Sequence, residues 1–306
     1  MEQIAQRTSF VDVEYLGNEY YIACAVLEGD DGIALIDPGP TVSLPGLERG
    51  LAQGGYSLAD VTDLLLTHIH LDHAGGTGTI VSRNPEVRVC VHERGAPHMV
   101  DPARLLASAK RIYGDQMDAL WGEFLPVPEA NVEVLTGGES LSAGGRKLAV
   151  AYTPGHASHH VSYFDAGTGI AYVGDTAGIR IANEPVTLPV TPPPDIDLEA
   201  WEESLQKIEA WSPERLFVTH FGADPNVAAN LEQLRGRLMQ WSLYVRRGMQ
   251  SGASTEECTE SFIRWVIEDL EQNLPADKVP VYQVSSMPEM SWHGLARYWR
   301  KKEQKT

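Results

Sequence analysis

Four residues within one short run could hold metal ions. They are His68, His70, Asp72 and His73, in Thr67-His68-Ile69-His70-Leu71-Asp72-His73-Ala74-Gly75-Gly76. Leaving an extended strand, alternate residues point to one side. His68 and His70 can therefore face one ion. Asp72 and His73 follow as the chain turns, so their side chains can diverge toward a second. Each zinc-like ion takes three or four ligands, with one position kept for water where the site is catalytic. Four ligands cannot fill two such sites. Three further candidates each stand directly after a short apolar run: His156 in Thr153-Pro154-Gly155-His156, Asp175 in Tyr172-Val173-Gly174-Asp175-Thr176, and His220 in Phe217-Val218-Thr219-His220. Ligands at the C-terminal ends of successive buried strands converge on one edge of a sheet.

The elements that must position these residues are legible from pattern. Val61–Thr67 is a short apolar run whose length predicts a buried strand ending at His68. Tyr20–Leu27 and Ile33–Asp37 read as a hairpin, followed by a helix from Ser43 to Ala52. Val87–Val91, Leu148–Thr153, Val161–Phe164, Ile170–Gly174 and Arg215–Thr219 read as further strands. Asp101 to Phe124 follows helical spacing and predicts a covering helical pair. Asp197 is placed to cap a helix carrying Leu198, Trp201, Leu205 and Ile208. The prolines of Val186–Pro194 predict a loop. Beyond about residue 225 the pattern is helical: Asn226–Gly248, Ser254–Leu274 with capping-box spacing at Ser254 and Glu257, and Met290–Lys302. The chain thus divides into residues 1–225, with a helical insertion near 95–125, and a helical extension, 226–306, expected to pack on the same unit.

Composition narrows the class. The chain has 306 residues, 43% of them apolar and 22% charged, which is the balance of a globular protein. Lys+Arg is 24 against 42 Asp+Glu, a net charge of −18. Such a field repels polyanions, so neither nucleic acid nor an anionic membrane is expected as a partner. The basic residues Arg297, Arg300, Lys301, Lys302 and Lys305 read as a solvated helix end. No signal-peptide pattern opens the sequence and no apolar stretch is long enough to span a bilayer, so a cytoplasmic location is expected. Cys24, Cys90 and Cys258 are odd in number and far apart, which predicts buried core thiols.

The series HxHxDH, then a later His, then Gly174-Asp175-Thr176, then a His after a strand resembles the metallo-β-lactamase-fold superfamily. The likeness spans about residues 20–225. It implies an αββα sandwich with metals at one edge of two facing sheets. By resemblance, His68, His70 and His156 would hold a first ion. Asp72, His73 and His220 would hold a second, Asp175 would bridge them, and Asp37 would be the structural aspartate beside the site. Two divalent cations are implied, zinc first, with iron or manganese as alternatives because the ligands are all nitrogen and oxygen. A metal-bridging hydroxide would attack a small ester, thioester or lactone, with Asp72 orienting the nucleophile or passing a proton.

Other branches of that superfamily fit less well. The stretch after Asp175, Thr176-Ala177-Gly178-Ile179-Arg180, lacks the Gly-Cys-Gly element of glyoxalase II and persulfide dioxygenases. It also lacks the lactonase tyrosine, since Gly178 stands in its place. The alternative function is a mononuclear iron dioxygenase of the persulfide type, keeping His68, His156 and Asp175. Ile112, Tyr113, Met117, Trp121 and Phe124, with Trp241 and Tyr244, could wall an apolar pocket for a small-molecule substrate, and Arg180 could meet an anion on it. His159 and His160 read as neighbours of the ligands, not ligands. The apolar stripes of the extension could build a homodimer interface.

Overall fold

The computed structural model describes residues 1–304. Lys305, part of the expected basic helix end, lies outside the described residues. Thirteen strands form two sheets. The first contains β1 (Glu2–Ala5), β2 (Thr8–Asp12), β3 (Ala23–Glu28), β4 (Ile33–Ile36), β5 (Val61–Leu65), β6 (Arg88–His92) and β7 (Val132–Leu135), in that order. The second contains β8 (Ser140–Ala143), β9 (Arg146–Tyr152), β10 (Val161–Asp165), β11 (Ile170–Tyr172), β12 (Arg215–Val218) and β13 (Gly222–Asp224). The parallel pairs are β4 with β5, β5 with β6, β6 with β7, and β11 with β12.

The sheets face each other and helices cover both outer surfaces, which is an αββα sandwich. Alternation along the strands shows why. Ala23, Ala25 and Leu27 of β3, Ala34 and Ile36 of β4, and Leu65 of β5 point between the sheets, where they meet Leu148, Val150, Tyr163, Tyr172 and Phe217. Their neighbours Cys24, Val26, Ile33, Leu35 and Leu64 point outward and are buried beneath the first helical layer. Ala171, Leu216 and Val218 do the same on the second sheet. Both faces are dry, so the central strands read as apolar runs without alternating polarity. All three cysteines are buried and free, as their spacing predicts.

The helices are α1 (Leu44–Gln53), α2 (Leu71–Ala74), α3 (Thr77–Arg83), α4 (Ala96–Val100), α5 (Ala103–Tyr113), α6 (Met117–Trp121), α7 (Leu198–Ala210), α8 (Val227–Gln250), α9 (Thr255–Asn273), α10 (Val279–Ser286) and α11 (Pro288–Glu303). Asp197 caps α7 through the Ala200 N–H, and Ser254 with Glu257 forms the capping box of α9. Within Asp101 to Phe124 the covering segment is the expected pair, α5 and α6, joined by a 3-10 turn at Gly114–Gln116, with the short α4 just before it. Gly114 at φ 54° and Gly122 at φ 71° end α5 and α6 in conformations that oppose helix continuation. The strands β1, β2, β7, β8 and β13 and the helices α2, α3 and α10 have no counterpart in the pattern reading.

Helices α8 to α11 form a common buried cluster with α7 and the outer face of the second sheet. Trp241 and Tyr244 belong to that layer. Trp241 meets Phe262 edge-on at 5.4 Å, and Tyr244 stacks on Trp265 at 4.7 Å. They therefore do not wall a pocket, because their stripe is used to pack α8 on α9. Among the described residues, no helix is long and apolar enough to cross a membrane.

Candidate metal centre

The seven residues singled out in the sequence meet at one edge of the sandwich. His68 and His70 lie just past β5, and Asp72 and His73 sit on α2. His156 follows β9, Asp175 lies in the turn after β11, and His220 follows β12. Two groups with metal-ligating geometry result: His68, His70, His156 and Asp175, and Asp72, His73 and His220. Gly174 permits this convergence. A Cβ there, at φ +47°, would stand 2.4 Å from Thr67 Oγ1 and 2.7 Å from His160 Nε2.

Three ring nitrogens crowd the first group. His70 Nδ1 is 2.9 Å from His68 Nε2 and 3.0 Å from His156 Nε2. The opposite ring atoms explain which nitrogens carry lone pairs. His156 Nδ1 donates to the Val190 carbonyl at 2.8 Å. His68 Nδ1 donates to Thr67 Oγ1 at 3.1 Å, whose own hydrogen goes to Asp37 at 2.7 Å. In the second group His220 Nδ1 donates to the Tyr21 carbonyl at 2.7 Å, and His73 Nδ1 donates to Asp37 at 2.8 Å. The rings of His68, His73, His156 and His220 are thus each fixed by a donor bond on the far side, leaving a nitrogen aimed inward, as in metal sites whose outer partners set the tautomer.

Asp175 spans the two groups. Its Oδ1 lies 3.2 Å from His73 Nε2 and 3.7 Å from His220 Nε2. Its Oδ2 lies 3.4 Å from His156 Nε2 and 3.9 Å from His68 Nε2. Oδ1 is buried without a hydrogen-bond partner of good geometry. A buried carboxylate oxygen without a well-formed hydrogen bond, set among imidazole nitrogens of two groups, fits a cation. Asp72 Oδ2 lies 3.2 Å from His220 Nε2 and 3.7 Å from His73 Nε2.

The electrostatics agree with that fit. Burial holds the pKa values of His68, His70 and His156 below the usual histidine range, that of His70 at about 4. These rings are neutral near pH 7, which is the form that binds metal. At His73 and His220 burial also pulls downward, but the carboxylates of Asp175 and Asp72 outweigh it and raise both. Burial would raise Asp72, yet His73 and His220 bring it down to about 2, and His73 and His220 likewise hold Asp175 well below its ordinary value. Without metal, protons on two rings balance two carboxylates. A divalent cation supplies the same charge at the same place.

His160 is fully buried, its Nδ1 within 3.0 Å of Thr153 Oγ1 and 3.1 Å of Thr176 Oγ1. His159 accepts the Ile69 N–H at 3.4 Å, with its ring centroid 5.6 Å from that of His70. Neither belongs to a metal-ligating group. We expect His159→Ala to leave metal content per chain unchanged by elemental mass spectrometry. Loss of an ion would replace His156 by His159 in the first group.

A cavity of about 610 Å³ opens over these residues. Ile112, Tyr113 and Trp121 of the insertion line it, but Met117 and Phe124 do not. Arg180 does not face it, because its guanidinium pairs with buried Asp224 at 2.9 Å. Three contributions escaped the sequence reading. Tyr15 and Tyr21 come from the N-terminal segment, Pro192–Pro194 from the loop, and Val284 and Met287 from the extension. The basic end of α11 holds that loop, with Lys301 and Arg297 donating to the Pro194 carbonyl. No local signal marks these residues, since only the packing of distant segments brings them to the cavity.

Comparison with known proteins places this geometry in context. Residues 17–220 match the family model described as the metallo-beta-lactamase superfamily. A metallo-beta-lactamase fold-containing protein of Sulfurisphaera tokodaii is 27% identical over 206 residues, which is 66% of this chain and 72% of that protein. A hydroxyacylglutathione hydrolase of a Synechococcus strain is 32% identical over 143 residues, 47% of this chain. The aligned part spans less than half of that relative, 43%. Among solved structures, a metallo-beta-lactamase family protein of Thermus thermophilus superposes with a TM-score of 0.69 at 20% identity, covering 97% of this chain and 94% of that one. A subclass B3 metallo-beta-lactamase from a soil metagenome gives 0.57 at 20% identity, covering 78% and 94%.

Proposed function

The chain belongs to the metallo-beta-lactamase superfamily, and on that premise we propose that it is a dinuclear metal-dependent hydrolase of a small ester, thioester or lactone. The observation that carries this reading is the position of Asp175, whose two oxygens face two different histidine groups. His68, His70 and His156 would hold one ion, Asp72, His73 and His220 the other, and Asp175 both. Zinc is the first choice for such a nitrogen and oxygen set. When bound, the ions supply a water acidic enough to attack at neutral pH and a Lewis acid for the substrate oxygen.

The chain's own residues do the rest. Asp72 keeps its charge at neutral pH, and its side chain is 27% exposed, toward the cavity. With one oxygen beside His220, the other is free to orient the attacking water and take its proton toward the leaving group. Asp37 and the Val190 and Tyr21 carbonyls hold the rings still while charge develops. The apolar cavity walls exclude bulk water from the acyl carbon. The named hydroxyacylglutathione hydrolases act on an acyl thioester, which supports that bond type among the three. The iron dioxygenase alternative is not favoured, because the second group, Asp72, His73 and His220, is complete and the Synechococcus relative is named a hydrolase.

Metal content on protein purified without added metal or chelator, followed by an ester, thioester and lactone panel, tests the proposal. We expect about two zinc ions per chain and hydrolysis of at least one class. A single iron per chain with no hydrolysis across the panel would overturn it.

A further inference from the structure

One wall of the cavity is aromatic and aliphatic: Tyr15 stacks on Trp121 at 5.8 Å, Tyr113 meets Trp121 edge-on at 5.1 Å, and Leu105 and Ile112 continue the surface. Burial together with the charge of Asp72 raises the phenol pKa values of Tyr15 and Tyr113, so this wall stands on the Asp72 side. Basic side chains line the same cavity. Arg94, between β6 and α4, His98 on α4 and Arg104 in the first turn of α5 all line the cavity.

Among the described residues neither Arg94 nor Arg104 forms an ion pair, although carboxylates outnumber basic residues 42 to 24. Asp195, which also lines the cavity, accepts the Ser158 hydroxyl at 2.5 Å. Arg94 lies over the Tyr152 ring at 5.7 Å, and two guanidinium groups lining a cavity without an ion pair suit an anion, since a planar fork of donors matches phosphate or carboxylate.

We propose that the substrate is two-ended, with an apolar acyl chain against the Tyr15–Trp121–Ile112 wall and a thiol or alcohol half whose anionic group is held by Arg94, His98 and Arg104. The assignment of charge to the leaving half follows from solubility. A hydrocarbon chain long enough to cover that wall is carried in water by a charged partner. The inference rests on the hydrolase reading for the bond that is cut. Water adds across the acyl C–S or C–O bond. A C–O bond forms at the acyl carbon, the bond to the leaving atom breaks, and the leaving atom takes one proton of the water. The carboxylic acid releases the other.

Three hexanoyl thioesters that differ only in the thiol decide it: coenzyme A (phosphates), glutathione (carboxylates) and N-acetylcysteamine (neutral). The metal-loaded protein is expected to show a kcat/KM at least about tenfold higher on a charged thioester than on the neutral one. The Arg94→Ala/Arg104→Ala variant should lose at least about ten times more on the charged than on the neutral substrate, mostly through KM. The double lysine variant should recover part of that loss. Calorimetry with the matching S-hexyl thioethers reads binding without turnover, and preferential binding of a charged thioether that the alanine variant abolishes supports the anion site. Phosphate and carboxylate arms identify which anion is preferred. Equal turnover of all three thioesters, unchanged in pattern by the variant, overturns the anion site and leaves the hydrolase standing. Preferential binding with no turnover of any thioester upholds the anion site and removes the thioesterase.

Discussion

Asp175→Ala is expected to release at least one metal ion and to lower turnover by on the order of a thousandfold or more, the scale seen when a group that stabilises transition-state charge is removed. The carboxylate is 3% exposed, and its two oxygens point into separate histidine groups. Alanine removes both at once, so one ion loses its fourth ligand and the spacing between the groups is no longer held. The imidazoles of His73 and His220 also lose the charge that raises their pKa values. They become better neutral ligands, so a single ion is expected to remain in some form at the histidines. Elemental mass spectrometry and steady-state kinetics on the same preparation check both parts. Two ions per chain with activity near wild type would remove Asp175 from the centre. Asp175→Asn keeps the shape without the charge and should lie between the two.

The second large effect is expected at Asp37, which touches no cavity surface and is 0% exposed. Its Oδ1 accepts the Thr67 N–H at 2.8 Å. Its Oδ2 accepts the hydroxyls of Thr67 and Thr219 at 2.7 Å and the His73 ring N–H at 2.8 Å. One carboxylate thus ties the ends of β4, β5 and β12 together and aims His73. Asp37→Ala strands those donors in a dry place. We expect it to cost about 3–5 kcal/mol, the range for breaking a buried charged network by removing one partner. Affinity for the second ion should fall by roughly 10- to 100-fold, because His73 loses its outer partner. Denaturant unfolding of the chelator-stripped protein measures the first effect, and competitive metal titration the second. Unchanged stability would mean that water replaces the carboxylate. Unchanged affinity would mean that α2 alone orients His73.

Much of the centre could be read directly from local sequence. His68, His70, Asp72 and His73 share one short run, and the remaining ligand candidates each end an apolar strand. A strand end is a local event: an apolar run stops, and the polar residue that follows must face the sheet edge. The caps at Asp197 and Ser254 were legible for the same reason, since their partners lie three residues away. The covering segment was legible as a helical pair, but the place of the break was not, because Gly114 falls inside an otherwise continuous apolar stripe. Residues whose role depends on distant neighbours gave misleading signals. Arg180 stands close to Asp175 in sequence, yet Asp224 neutralises it. Trp241 and Tyr244 form an apolar stripe, but α9 covers it.

Sequence by itself therefore supplied the candidate ligands, as two sequence-local pairs plus three strand-end residues, and, through the family resemblance those residues carry, the layered class of the fold. The candidates depend on periodicity and on chemistry carried within a few residues. Tertiary structure alone decided the cavity: that Tyr15, Pro192–Pro194 and Met287 share one space with Trp121, and that Arg94 and Arg104 line it without an ion pair. Those facts are sums over contacts between segments up to hundreds of residues apart. A pairing partner or a facing wall has no period and no spacing, so it exists only once the layers have packed.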